Sequence, residues 1–184
     1  MMYDVHSLFE SVQGEGHWSG TPMTFVRLYG CSEDCPFCDQ KMEKGKYEQI
    51  TEEQIVDVVG EYKNNRVCIT GGEPLEQDIK PLVDLLHCEG YTVHLETNGK
   101  HVPTASVDWL TISPKGHSTI SVHKCDEVKV MIGCVDPVAI HNHVKAKHYW
   151  VMPLNCYYKP AYDFVMSDHR FKLGTQMHKY AGIK

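Results

Sequence analysis

A basic surplus is missing from this sequence. Lys and Arg number 18 against 24 Asp and Glu, a formal net charge of -6, so there is no basic face with which to hold nucleic acid or an anionic membrane surface. Long apolar runs are missing too. None approaches the roughly 20 residues that a membrane-spanning helix needs. The start, Met1-Met2-Tyr3-Asp4-Val5-His6, has neither the basic opening nor the apolar centre of a secretion signal. A reducing cytoplasm is the expected location. Repeats, low-complexity tracts and linkers are also absent. That leaves a single domain over residues 1–184, long enough to bury about 70% of its unfolded surface without staples.

A further absence is local. Cys31, Cys35 and Cys38 lie at the spacing C-x3-C-x2-C in one turn-sized loop, and no fourth Cys stands nearby. A closed zinc or ferredoxin-type centre takes four ligands, so one position of a centre held by these three thiolates is open. An open iron on a [4Fe-4S] cluster can be chelated by a small molecule and can pass it an electron. The competing reading of the same residues is a structural zinc site completed by His17 or another of the twelve His. Such sites usually pair C-x2-C units. Cys68, Cys88, Cys125, Cys134 and Cys156 are scattered among apolar runs and are expected to be buried free thiols.

Along the chain, Phe9 to Gly16 carries two glycines among polar residues and reads either as a ligand-contacting loop or as an ordinary surface turn. Met23 to Tyr29 is a strand pattern that delivers the first cysteine at its carboxyl end, and Arg27 is its odd member. A buried Arg facing a ligand carboxylate makes a strong bidentate contact. Thr51-Glu52-Glu53-Gln54 is a capping box opening a helix to about residue 62. Val67 to Thr70 reads as a strand turning out at Gly71-Gly72-Glu73-Pro74. A helix follows to Gly90, then a strand from Thr92 to Glu96 that ends in Thr97-Asn98-Gly99. Further strands are expected at Trp109 to Ser113, Glu127 to Ile132 and His148 to Met152. Further helices are expected after Asp136-Pro137 and near 161 to 169. Strands spaced by helices, with glycine-rich or polar turns at strand carboxyl ends, predict an α/β fold with a parallel sheet and its site at that edge. About six strands are too few for a complete eight-stranded barrel. An open, partial (β/α) barrel is expected.

The cysteine spacing resembles that of the radical S-adenosylmethionine (SAM) enzymes. Together with Phe9 to Gly16, Arg27 to Cys31, Thr70 to Pro74, Glu96 to Gly99, Ser113 to Lys115 and Gln176 to Lys179, it resembles the 7-carboxy-7-deazaguanine synthase family. The resemblance implies that 6-carboxy-5,6,7,8-tetrahydropterin is contracted to 7-carboxy-7-deazaguanine with loss of ammonia, for 7-deazapurine (queuosine-type) biosynthesis. It implies a [4Fe-4S] cluster on Cys31, Cys35 and Cys38, and SAM that is cleaved to an adenosyl radical and is itself regenerated each turnover. Phe37, Cys38, Asp39, Gly72, Glu73, Glu96, Ser113, Pro114 and Lys115 are the implied SAM contacts. Val12, Gln13, Gly14, Glu15, Arg27, Thr70 and His178 are the implied pterin contacts. After Cys-Asp the family commonly has Thr, whose hydroxyl helps hold a Mg2+ that bridges to the substrate. Here Gln40 stands there, a longer ligand for the ion. The terminal Lys184 also departs from the family's usual ending. An electron donor such as flavodoxin and a homodimer are implied as partners. The rival enzyme reading is a radical activating enzyme acting on a glycyl protein. The non-enzyme rival is an iron-sulfur or zinc-binding module. Val12 to Glu15 and Gln176 to Lys179 favour the pterin enzyme.

Overall fold

The computed structural model describes residues 1–184 apart from Asp39, Lys41, Glu43, Lys44, His117, Ser118 and Lys184. Asp39 and Lys184, both singled out in the sequence, therefore lie outside the described residues. The chain divides into two compact units, one of Met1–Ser11, Pro22–Thr97 and Val102–Trp109, the other of Val12–Thr21, Asn98–His101 and Leu110–Lys184.

The first unit carries β1 (Met2–Val12), β2 (Pro22–Leu28), β3 (Glu48–Thr51), α1 (Glu52–Gly60), β4 (Arg66–Gly71), α2 (Lys80–Cys88) and β5 (Thr92–Thr97). Its strand order is β3-β1-β2-β4-β5, with β2, β4 and β5 parallel and β3 antiparallel to β1. Parallel strands covered on both faces read as unbroken apolar runs, and Val67, Cys68 and Ile69 of β4 are fully buried. Ile55 and Val59 of α1 and Leu82, Val83 and Leu86 of α2 complete this core. α1 starts where the capping box predicts: the Thr51 hydroxyl accepts from the Gln54 N–H at 3.3 Å, and the Gln54 side chain accepts from the Thr51 N–H at 2.8 Å.

The second unit carries β6 (Trp109–Ile112), β7 (Glu127–Met131), α3 (Pro137–His143), β8 (His148–Met152), α4 (Tyr158–Ser167), β9 (Lys172–Leu173) and α5 (Met177–Ala181). Here β6-β7-β8-β9 run parallel, around a core of Ile112, Val128, Val130, Val151 and Phe171. β3 and β9 are edge strands, so the mostly parallel α/β arrangement is not closed.

The six strands expected from the sequence are β2, β4, β5, β6, β7 and β8. Three more, β1, β3 and β9, are present among the described residues. β1 corrects the reading of Phe9 to Gly16 as a loop, since Phe9 to Val12 are strand and the turn begins only at Gln13. All eight cysteines are free, but of the five scattered ones only Cys68 and Cys125 are buried; Cys134 is half-buried, and Cys88 and Cys156 are exposed. Their apolar neighbours in sequence do not decide which face of a strand or helix a thiol takes. Replacing Thr51 by Ala removes the hydroxyl that accepts from the Gln54 N–H, and should lower stability by about 1 kcal/mol in urea unfolding.

Candidate active site

In the first unit the candidate residues gather at the carboxyl ends of β2, β4 and β5. Arg27 and Thr70 are direct partners across β2 and β4. Neighbours at one level of a parallel pair present their side chains on the same face, so the guanidinium and the hydroxyl stand side by side. Glu96 follows Leu95, the partner of Ile69, and so takes the next place at the same level. The Arg27 guanidinium lies 5.8 Å over the Phe9 ring.

β2 ends into Gly30 (φ +96), and the cysteine loop follows at once. Cys35 is buried while Cys31 and Cys38 are exposed. The Cys38 N–H donates to the Cys35 carbonyl at 3.0 Å, closing a turn between two of the thiols, and the Glu33 N–H donates to Cys31 Sγ at 3.4 Å. Hydrogen bonds of this kind to sulfur tune an iron-sulfur cluster. Burial pushes the Cys31 thiol up from its ordinary pKa, and the carboxylates of Glu76 and Glu73 add to that against the Glu33 N–H. Among the described residues no group of three or more His, Cys, Asp and Glu is placed to hold one metal ion. Thiolates on a [4Fe-4S] cluster each bind a different iron, so a single-ion geometry is not required of them. Phe37 is half-buried in the loop and Gln40 is exposed just beyond it.

The turn after β4 is built against this loop. The Gly72 N–H donates to the Leu28 carbonyl at 3.1 Å and the Glu73 N–H to the Gly30 carbonyl at 2.8 Å. A Cβ at Gly72 would stand 2.0 Å from the Gly30 oxygen and 2.9 Å from the Cys31 Cβ, so only glycine admits this approach. Glu73 is 1% exposed. One of its oxygens accepts from the Leu75 N–H at 3.1 Å and from the Thr97 hydroxyl at 2.6 Å, which gives it a part in building the turn.

In the second unit the turn after β1 meets the carboxyl-terminal segment. Gln13 and Gly14 are buried, Val12 and Glu15 half-buried. Backbone bonds from the Gln13 N–H to Thr21 and from the Gly20 N–H to Gln13, both 2.8 Å, close the turn. The Met177 N–H donates to the Gly14 carbonyl at 2.8 Å. A Cβ at Gly14 would stand 2.1 Å from His178 Nδ1, so the imidazole lies directly on this glycine. Burial pushes the Glu15 carboxyl up, but the Lys129 ammonium and the Gln176 amide, with His178 adding to them, hold it well below the usual carboxylate range. Ser113 and Lys115 are half-buried and Pro114 buried, just past β6.

Sequence reasoning missed Glu127 and Lys129 of β7, each 3% exposed. Glu127 accepts from the His17 N–H at 2.6 Å and from the Trp150 indole at 3.1 Å; Lys129 pairs with Glu15 at 2.8 Å. The signal was present in Glu127-Val128-Lys129-Val130, where two charges two residues apart share one face of an interior strand.

The sequence profile of the Radical SAM superfamily matches residues 25–133, from β2 through β7. The chain is 36% identical over 185 residues to the 7-carboxy-7-deazaguanine synthase of Bacteroides thetaiotaomicron, with 100% of each chain covered. The chain belongs to the 7-carboxy-7-deazaguanine synthase family. Two further members of the family are the synthases of Synechocystis sp., 32% identical over 99% of this chain and 94% of that one, and of Bordetella pertussis, 31% identical over 100% of both. The crystal structure of QueE from Escherichia coli has the same fold, with a TM-score of 0.83, 26% identity and coverage of 97% of this chain and 95% of that one. The open, partial barrel of radical SAM type expected from the sequence is thereby borne out. Membership implies a [4Fe-4S] cluster and SAM as cofactors. No helix among the described residues is long and apolar enough to cross a membrane.

Gly72→Ala places a methyl against backbone and beside a cluster ligand, an overpacking that costs roughly 1–3 kcal/mol. The variant should fold with unchanged circular dichroism yet, after anaerobic reconstitution, hold well under half the wild-type iron by chemical analysis.

Proposed function

We propose that this chain converts 6-carboxy-5,6,7,8-tetrahydropterin to 7-carboxy-7-deazaguanine and ammonia, for 7-deazapurine biosynthesis, working as one radical SAM domain. Removing ammonia from the pterin acid leaves the atoms of the deazaguanine acid, with no net oxidation, so the cofactor is free to be regenerated. The observation that carries the reading is the pairing of Arg27 with Thr70 beside the cysteine loop, in a chain that aligns end to end with a synthase of this name.

Cys31, Cys35 and Cys38 hold the cluster, which with SAM supplies hydrogen-atom abstraction and return. The Phe37-Cys38-Asp39 segment, Gly72, Glu73, Glu96 and Ser113-Pro114-Lys115 hold SAM. The glycines of the β4 turn expose backbone groups to the cofactor's amino group, where a side chain would stand in the way. Arg27 clamps the pterin carboxylate, because a guanidinium offers two parallel donors to a planar anion, and the Thr70 hydroxyl donates beside it. The backbone of Val12, Gln13 and Gly14 and the carboxylate of Glu15 receive the pterin ring. A carboxylate held anionic offers acceptors only, which suits the N–H donors of an aminopyrimidinone edge. His178 covers the ring from α5.

An electron donor such as flavodoxin, a homodimer and a cytoplasmic location complete the reading. The dimer covers edges of the kind left at β3 and β9. Where the family commonly has Thr, the neutral, longer Gln40 gives a weaker hold on Mg2+, an ion that demands a tight octahedron, so turnover here depends less on added Mg2+.

The test is anaerobic reconstitution and reduction, followed by chromatography of the reaction with 6-carboxytetrahydropterin. Wild type should form the deazaguanine acid with catalytic rather than stoichiometric consumption of SAM, and Cys31→Ala should form none. Arg27→Ala should weaken pterin binding by about 1.5–3 kcal/mol, the worth of hydrogen bonds to a charged group. Absence of product from loaded wild type, or uncoupled SAM cleavage on a glycyl-protein peptide instead, refutes the proposal. Repeated across Mg2+ concentrations after chelation, the assay should show substantial turnover without the ion. Strict dependence saturating at low Mg2+ would contradict the role given to Gln40.

A further inference from the structure

We infer that Lys129 is a positioning residue for the pterin end of the site: from β7 it fixes Glu15, and through Glu15 and Gln176 it seats His178 on the backbone of Gly14. The inference rests on the pterin-contacting roles proposed above for Gly14, Glu15 and His178.

A lysine ammonium 3% exposed on an interior strand is costly to bury unless it is paired. Here Nζ lies 2.8 Å from Glu15 Oε2. The other carboxylate oxygen accepts from the Gln176 amide at 2.7 Å, and the Gln176 oxygen in turn accepts from Lys179 Nζ at 2.8 Å. Gln176 is itself 4% exposed. A continuous polar chain thus runs from the middle of β7 to the first turn of α5. Glu127 faces the same way two residues earlier and takes the His17 N–H at 2.6 Å, and a Cβ at Gly16 would stand 2.2 Å from its Oε1. The two polar side chains of β7 grip the turn two residues apart, Lys129 at Glu15 and Glu127 at His17.

What makes this chain decisive is the character of α5. The helix has five residues and buries none of them fully; its ring contact is Tyr180 with Tyr158 at 6.1 Å, so its apolar docking is slight. Its seat is polar, through Gln176 and the Met177 N–H to the Gly14 carbonyl at 2.8 Å. His178, the only residue of α5 with a proposed substrate role, rides on that seat. Lys129 also fixes which edge of Glu15 stays available: with one oxygen taken by the ammonium and the other by the amide, the lone pairs left over are acceptors in a set direction.

Lys129→Met keeps the length and removes the charge, and Lys129→Arg restores it. Hydrogen exchange of the Met177 amide reads the seat of α5 without any substrate. In Lys129→Met it should be faster by about tenfold or more, the loss of one hydrogen bond to a charged group, while amides of β7 and β8 stay protected. In the loaded enzyme the KM for 6-carboxytetrahydropterin should rise about tenfold or more, with kcat and the KM for SAM little changed, and Lys129→Arg should recover most of the loss. Gln176→Leu severs the next link with the ion pair intact, and should give the same two changes even if Lys129→Met does not fold. Unchanged Met177 exchange and unchanged pterin KM in a folded Lys129→Met or Gln176→Leu overturn the inference while leaving the proposed function standing. Failure of wild type to turn over the pterin overturns the proposed function, and the exchange data still decide whether Lys129 seats α5.

Discussion

At Gly72 the turn leaving β4 comes so close to the Gly30 carbonyl that no side chain fits between them, and two backbone hydrogen bonds, to Leu28 and Gly30, hold the approach. The cysteine loop begins at the next residue. Its origin is therefore pinned to the sheet by backbone, with the Gln77 amide donating to the Tyr29 carbonyl and Glu76 accepting from the Ser32 N–H beside it, which leaves Cys31 and Cys38 exposed for metal while Cys35 is buried. A three-thiolate loop needs such an anchor, since it has no fourth ligand to close it. Arg27 and Thr70 stand side by side just before it, three residues ahead of Gly30 and two ahead of Gly72. Ligand placement and carboxylate recognition share one piece of backbone geometry.

The second unit meets the same demand for rigidity with charge. Its turn after β1 and its last helix are both short, and neither has an apolar face large enough to fix it. Glu127 and Lys129 do so from an interior strand, Glu127 by accepting from the His17 N–H and the Trp150 indole and Lys129 through its buried ion pair with Glu15. Removing one partner of such a pair is far more damaging than the pair is stabilising. The arrangement therefore favours a single geometry of Glu15 over alternatives in which it points to water.

Much of this was legible beforehand because the parts that carry chemistry are local in sequence. C-x3-C-x2-C, Gly71-Gly72-Glu73-Pro74 and the capping box at Thr51 each declare themselves within eight residues, and the alternation of strand and helix gave the parallel core. β1 escaped because its alternation, half-buried along most of its length, is broken by polar residues that look like loop. α5 escaped because a five-residue helix without a buried face has no period to read. Lys129 could be seen only as a charge in a strand. Its pairing with Glu15, 114 residues away, is a product of the fold, and no spacing rule reaches that far.

The central claim is that three thiolates on one anchored loop hold a cluster whose remaining iron is left to SAM. Mössbauer spectroscopy of the 57Fe-reconstituted protein, before and after adding SAM, tests it most directly. The account predicts cubane [4Fe-4S] signals in which one iron site alone changes its isomer shift when SAM is added, with the other sites unmoved. A spectrum that SAM leaves unaltered, or a protein that takes up zinc in place of iron under the same reconstitution, would contradict it.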